Sequence, residues 1–96
     1  MSNNAKYRLA EFEIQPLSEG CYSLKDKNKD IIDRLITLNK SAAQIWQYLQ
    51  NREFDVDTIE KFLVNEYGID HDMALSDAKD LIETWEDASL IISLTN

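Results

Sequence analysis

Arg34-Leu35-Ile36-Thr37-Leu38-Asn39-Lys40-Ser41-Ala42-Ala43-Gln44-Ile45-Trp46-Gln47-Tyr48-Leu49 joins two different periodicities. Its first part closes a run from Ile31 to Leu38 rich in β-branched residues, which reads as a strand. Beyond Asn39 the period changes: Ala42, Ile45, Trp46 and Leu49 share one helical face. Ser41 followed by Gln44 has capping-box spacing, which would satisfy orphaned amides at the helix start. A strand running directly into a helix sets the fold class, because whatever precedes this point must pair with the strand.

Two shorter runs precede it. Ala10-Glu11-Phe12-Glu13-Ile14-Gln15 alternates apolar and polar, the signature of a half-buried strand, and Cys21-Tyr22-Ser23-Leu24 is a second candidate. Short links between successive strands favour an antiparallel meander. Asp26-Lys27-Asn28-Lys29-Asp30 opens like a calcium loop, but Ile31 and Thr37 stand where that loop needs glycine and glutamate. It is read as a hairpin turn. After the first helix, Asp55 or Asp57 can cap a second; with Asp55, Phe54 and Ile59 have hydrophobic-staple spacing. Ile59, Phe62 and Leu63 form its inner face, and Gly68 is a good stop. Asp70 or Asp72 can cap a third helix with the stripe Leu75, Ala78, Leu81, Ile82 and Trp85. The tail Leu90-Ile91-Ile92-Ser93-Leu94 can pack as an extended segment. The expected fold is α+β: a three-stranded antiparallel sheet followed by three helices, with a winged-helix-like order. One domain over residues 1–96 is expected, with residues 1–9 flexible.

The 96 residues are 44% hydrophobic and 29% charged, an ordinary globular mixture. No apolar run approaches the roughly 20 residues a membrane helix needs, and Met1 to Arg8 lacks a signal-peptide core. With a single cysteine, Cys21, no internal disulfide can form, and a cytoplasmic location is expected. The net charge of −8 is uneven: residues 1–40 hold 7 Lys/Arg against 6 Asp/Glu, residues 41–96 hold 3 against 12. Such a C-terminal half repels phosphates and tolerates a basic peptide, although a solvated helix surface would look the same.

Residues for chemistry are sparse. The only histidine, His71, is far in sequence from Cys21 and is read as an exposed residue between Asp70 and Asp72. One His and one Cys are too few for a zinc site. The pairs Asp77/Asp80 and Glu83/Asp87 sit at helical spacing on the outer face of the third helix, where solvated carboxylates are expected. A winged-helix DNA binder is the alternative reading. Its recognition helix, Asp72 to Ala88, would carry Lys79 alone against six Asp/Glu, nearly the reverse of what phosphate contacts need. The expectation is therefore a non-catalytic binding protein with no cofactor, no metal, no nucleic acid and no membrane contact.

Leu38-Asn39, Ser41-Ala42-Ala43 and Ile45-Trp46 with Leu49 resemble the "LN…s-a-a-x-I-W-x-x-L" core of PqqD-like proteins. The likeness continues through Thr58-Ile59, Leu63, Tyr67, Asp70, Asp77-Ala78, Leu81-Ile82, Trp85 and Leu90-Ile91, covering roughly residues 20 to 92. Asn51-Arg52 replaces the Asp-Gly of many relatives, and Ser89 replaces the glycine before Leu-Ile. Trp46 resembles the wider relatives in peptide-modifying pathways more than the quinone-pathway protein itself. The resemblance implies a RiPP recognition element, a peptide chaperone that binds the leader of a ribosomally made precursor. It would present that precursor to a modifying enzyme such as a radical-SAM enzyme, a leader peptidase or a cyclase. In that family the leader adds as a strand beside the third strand and lies against the third helix. Carried over, the site is Arg34, Leu35, Ile36, Thr37 and Leu38 with Ala74, Asp77, Ala78 and Leu81. Ala74 and Ala78 would leave room for a leader side chain, or else merely allow close packing. An open strand edge can also pair with itself, so a monomer or weak dimer is expected.

Overall fold

The computed structural model describes residues 5–28 and 36–94. In chain order these form β1 (Tyr7–Leu9), β2 (Phe12–Ser18), β3 (Cys21–Asp26), β4 (Ile36–Asn39), α1 (Lys40–Tyr48), α2 (Val56–Tyr67), α3 (His71–Asp87) and β5 (Ile91–Ser93). The fold is α+β, with a three-stranded antiparallel sheet ordered β2-β3-β4 followed by three helices. The described residues fall into two compact units, one spanning 11–50 and the other combining 5–10 with 51–94.

The first unit is the sheet with α1. Register pairs Ile14 with Leu24 and Leu24 with Ile36, so apolar side chains line up across all three strands. Phe12, Leu24 and Leu38 are buried on that face, and α1 contributes the buried Ala43, Ile45, Trp46 and Leu49. Phe12 meets Trp46 edge to face, with ring centroids 6.4 Å apart. The opposite sheet face is polar: Glu13 and Lys25 pair across it, as do Gln15 and Ser23, and Ser23 and Thr37. The helix start differs from the expected Ser41 cap. Asn39 is the cap, and its Oδ1 accepts from the Ala42 amide (2.8 Å) and from the Ser41 hydroxyl (3.1 Å). Asn39 thus serves as the last residue of β4 and the cap of α1, so no linker separates strand from helix. The expected turn over Asp26–Asp30 and the first part of the third strand, Ile31 to Leu35, lie largely outside the described residues.

The second unit brings the two ends of the chain together. β1 pairs antiparallel with β5, matching Tyr7 to Ser93, Arg8 to Ile92 and Leu9 to Ile91. On its other edge Tyr7 exchanges backbone hydrogen bonds with Phe54 (2.8 and 2.9 Å), and the two rings stack. Residues 7–9, within the segment expected to be flexible, are therefore a strand. Phe54, Ile59, Leu63, Ala74, Ala78, Ile82, Trp85, Leu90 and Ile91 are buried.

Asp55 caps α2, and its carboxylate accepts from the Thr58 amide (2.9 Å), the Thr58 hydroxyl (3.0 Å) and the Lys6 ammonium (2.9 Å). Burial alone would raise the Asp55 pKa. The hydrogen bonds from Lys6 and Thr58, with the Lys6 charge, outweigh that and hold it below its ordinary value of 3.8. A carboxyl depressed in the folded state stabilises fully above its unfolded pKa and loses that contribution as pH falls through the folded value. Thermal melts should therefore show stability dropping below about pH 4. Asp55→Asn, which keeps a good cap, should flatten that acid limb, and Asp55→Ala should cost about 1–2 kcal/mol at neutral pH.

α2 stops at Gly68 and α3 at Ala88, each followed or capped by a left-handed residue. Gly68 has φ of 63°, and its amide donates to the Val64 carbonyl. After α3 the left-handed residue is Ser89, at φ 62°. The Ser89 amide donates to Glu86 and the Leu90 amide to Trp85, a Schellman pair. Glycine in this position in the resembled family has a clear reason, since a Cβ strains the left-handed conformation. Ser89→Gly is expected to stabilise the protein by about 0.5–1 kcal/mol in denaturant titrations.

Candidate functional site

The sheet has two outer edges, and they are not equivalent. The Lys27 amide donates to the Glu11 carbonyl at 3.0 Å, in register with the β2–β3 pairing. In an antiparallel ladder bonded pairs recur at every second residue. Glu13–Lys25 and Gln15–Ser23 are therefore the bonded pairs of β2 with β3. The alternate β3 residues Leu24 and Tyr22 bond to Ile36 and Leu38 of β4. It follows that Phe12, Ile14 and Pro16 direct their backbone groups to the outer edge of β2. Thr37 and Asn39 direct theirs to the outer edge of β4.

Pro16 has no amide hydrogen, and it falls at one of those outward positions. The register also shifts between Pro16 and Ser18, bending the strand. Proline and a bulge are two ways of preventing strand addition, and β2 has both. β4 has neither, and Ile36-Thr37-Leu38-Asn39 carries no charged side chain. Among the described residues no strand pairs with its outer edge. Thr37 N–H and C=O and the Asn39 N–H are the groups presented there, while the Asn39 carbonyl turns into the first turn of α1.

Of the expected site residues, Arg34 and Leu35 lie outside the described residues. Ile36 is half-buried, Thr37 exposed and Leu38 buried, all on β4. Ala74, Asp77, Ala78 and Leu81 follow one another along α3, in the other unit. Ala74 and Ala78 have no exposed surface, so in this structure their small size serves close packing. Asp77 is exposed and Leu81 half-buried, and these two present surface. α3 also exposes Asp72, Asp80, Glu83, Glu86 and Asp87 against Lys79.

His71 does more than stand exposed between two acids. Its Nδ1 lies 2.8 Å from Oε2 of Glu60, tying the start of α3 to α2. The Glu60 side chain is only 8% exposed while that of His71 is 68% exposed, so the histidine covers a carboxylate that has little access to water. Sequence periodicity gave no sign of this, because Glu60 reads as one more polar helix residue. His71→Ala should lower stability by about 1–2 kcal/mol in urea titrations by orphaning Glu60, and adding Glu60→Leu should restore most of it. Among the described residues no group of three or more His, Cys, Asp or Glu is placed to hold a metal ion. No helix among the described residues is long and apolar enough to cross a membrane.

The chain is thus a small α+β fold whose sheet has one blocked edge and one open edge. Residues 24–91 match the family model described as coenzyme PQQ synthesis protein D (PqqD), and the chain belongs to the PqqD family. Members of that family are accessory proteins of pyrroloquinoline quinone and ribosomal-peptide natural-product biosynthesis, binding proteins rather than catalysts. No curated protein and no solved structure matches the chain.

Proposed function

We propose that this protein is a non-catalytic, cytoplasmic adaptor for the leader segment of a ribosomally made precursor peptide. The leader adds as a strand on β4, and the precursor is thereby presented to a modifying enzyme, of which a radical-SAM enzyme, a leader peptidase and a cyclase are the candidate classes. The observation that carries this reading is the asymmetry of the sheet: Pro16 and a bulge close the β2 edge, while β4 offers Thr37 and Asn39. Arg34, Leu35, Ile36, Thr37 and Leu38 form the proposed docking strand, and Asp77 and Leu81, beside Ala74 and Ala78, the proposed contribution of α3. The acidic surface of α3 favours a leader carrying Lys or Arg, so affinity should fall as ionic strength rises.

Amide hydrogen exchange tests the reading. A synthetic leader from a precursor encoded beside this gene should slow exchange at Thr37 and Asn39 and leave Phe12 and Ile14 unchanged. Protection at the β2 edge, or at neither edge, would overturn strand addition at β4. Duplex DNA at low salt should give no shift in a gel assay, given the charge of α3.

A further inference from the structure

The register of the sheet says which peptide the open edge accepts, and this step rests on the proposed function above. We propose that β4 selects an extended segment of the form apolar–polar–apolar, in which the central residue pairs with Thr37 and must supply an amide hydrogen.

Across the sheet, each row of side chains stays on one face. Ile14, Leu24 and Ile36 form one apolar row, and Tyr22 and Leu38 form another on the same side. Gln15, Ser23 and Thr37 form a polar row on the opposite side, and Cys21 with Asn39 another. An added strand lengthens every row by one residue, because residues directly opposite one another share a face. The residue opposite Thr37 therefore lies on the exposed polar face. Its two neighbours, opposite Ile36 and Leu38, lie on the face where Leu24 and Leu38 are buried and Ile36 half-buried.

Hydrogen bonding adds a second condition. Thr37 directs both backbone groups outward, whereas Ile36 and Leu38 bond back to β3. Every neighbour in this sheet is antiparallel. An antiparallel ligand thus exchanges two hydrogen bonds with Thr37 through its central residue, and its flanking residues point their amides away. Proline is excluded at the centre and tolerated at a flank. Asn39 ends the ladder, since its carbonyl and side chain are committed to α1.

Four synthetic nine-residue peptides, capped at both ends and flanked by Gly, Ser and Lys for solubility, test this against the full chain. Their central triads are Val-Thr-Val, Val-Val-Thr, Val-Pro-Val and Pro-Thr-Val, titrated to millimolar concentration while the Thr37 and Asn39 amide resonances are followed. Val-Thr-Val should bind about fivefold tighter than Val-Val-Thr, which follows from a cross-strand pair difference of about 1 kcal/mol. Pro-Thr-Val should retain binding and Val-Pro-Val should lose it. Thr37→Val should turn the preference toward an all-valine triad. Equal perturbation of Thr37 by all four peptides would overturn the selectivity and leave docking at β4 standing. No perturbation of Thr37 by any of them would overturn both.

Discussion

Thr37→Pro is expected to abolish peptide docking while the protein stays folded. The substitution removes one outward amide and places a ring where an incoming backbone must approach. The Thr37 amide is not part of the β3–β4 ladder, because the bonded pairs there are Leu24–Ile36 and Tyr22–Leu38. The folded protein therefore loses no ladder hydrogen bond. Each docking bond contributes about 1 kcal/mol, and the ring adds a steric conflict, so affinity for the Val-Thr-Val peptide should fall at least about tenfold. Ile36→Pro makes the informative contrast: one residue away it removes a bond inside the sheet and should lower the melting temperature. Titration and thermal melts on both variants check the pair. Loss of stability in Thr37→Pro, with binding per folded molecule intact, would contradict the assignment of its amide to the open edge.

Trp46→Ala should be the most damaging single change to the fold. Trp46 has no exposed surface and stands against Phe12 of β2 on the helix that continues directly from β4. Truncating a buried tryptophan costs about 3–5 kcal/mol, a large share of the roughly 5–15 kcal/mol that holds a domain of ordinary stability. Urea titrations should show a midpoint shift of that size, with Trp85 left as the fluorescent reporter. Trp46→Phe keeps an aromatic ring against Phe12 and should recover much of the loss. Because Trp46 anchors the helix leading from Asn39, a partly stable Trp46 variant should also bind peptide more weakly.

The elements that carried their own local signals were readable in the chain. Alternation over Ala10 to Gln15 placed most of β2, Cys21 to Leu24 stood out as a shorter candidate for β3, and the apolar stripes placed the three helices. Gly68 marked an end, and of the paired cap candidates the structure uses Asp55 rather than Asp57 and Asp70 rather than Asp72. Phe54 and Ile59, expected as a staple, are both buried. Asn39 was harder to read, because Ser41 offers an equally good capping spacing. What separates them is where β4 ends, and that depends on its pairing with Cys21 in another strand. Tyr7-Arg8-Leu9 is too short to announce a strand, and its partners, Phe54 and Ile91–Ser93, lie far along the chain. The cover that His71 gives Glu60 likewise depends on how α2 meets α3.

The candidate site divides the same way. That Pro16, one residue past the alternation ending at Gln15, lies within β2 comes from its pairing with Tyr22. That the run ending at Leu38-Asn39 is a strand, and that Ile36 to Asn39 carries no charge, follow from residue order and local preference. Which residues of β4 turn their amides outward does not, because a strand shows the same alternation whichever edge it bonds through. Only the register between strands, set by packing of the Phe12, Leu24 and Leu38 face, decided that Thr37 faces outward, and only the packing of α3 within its own unit decided that Ala74 and Ala78 are buried.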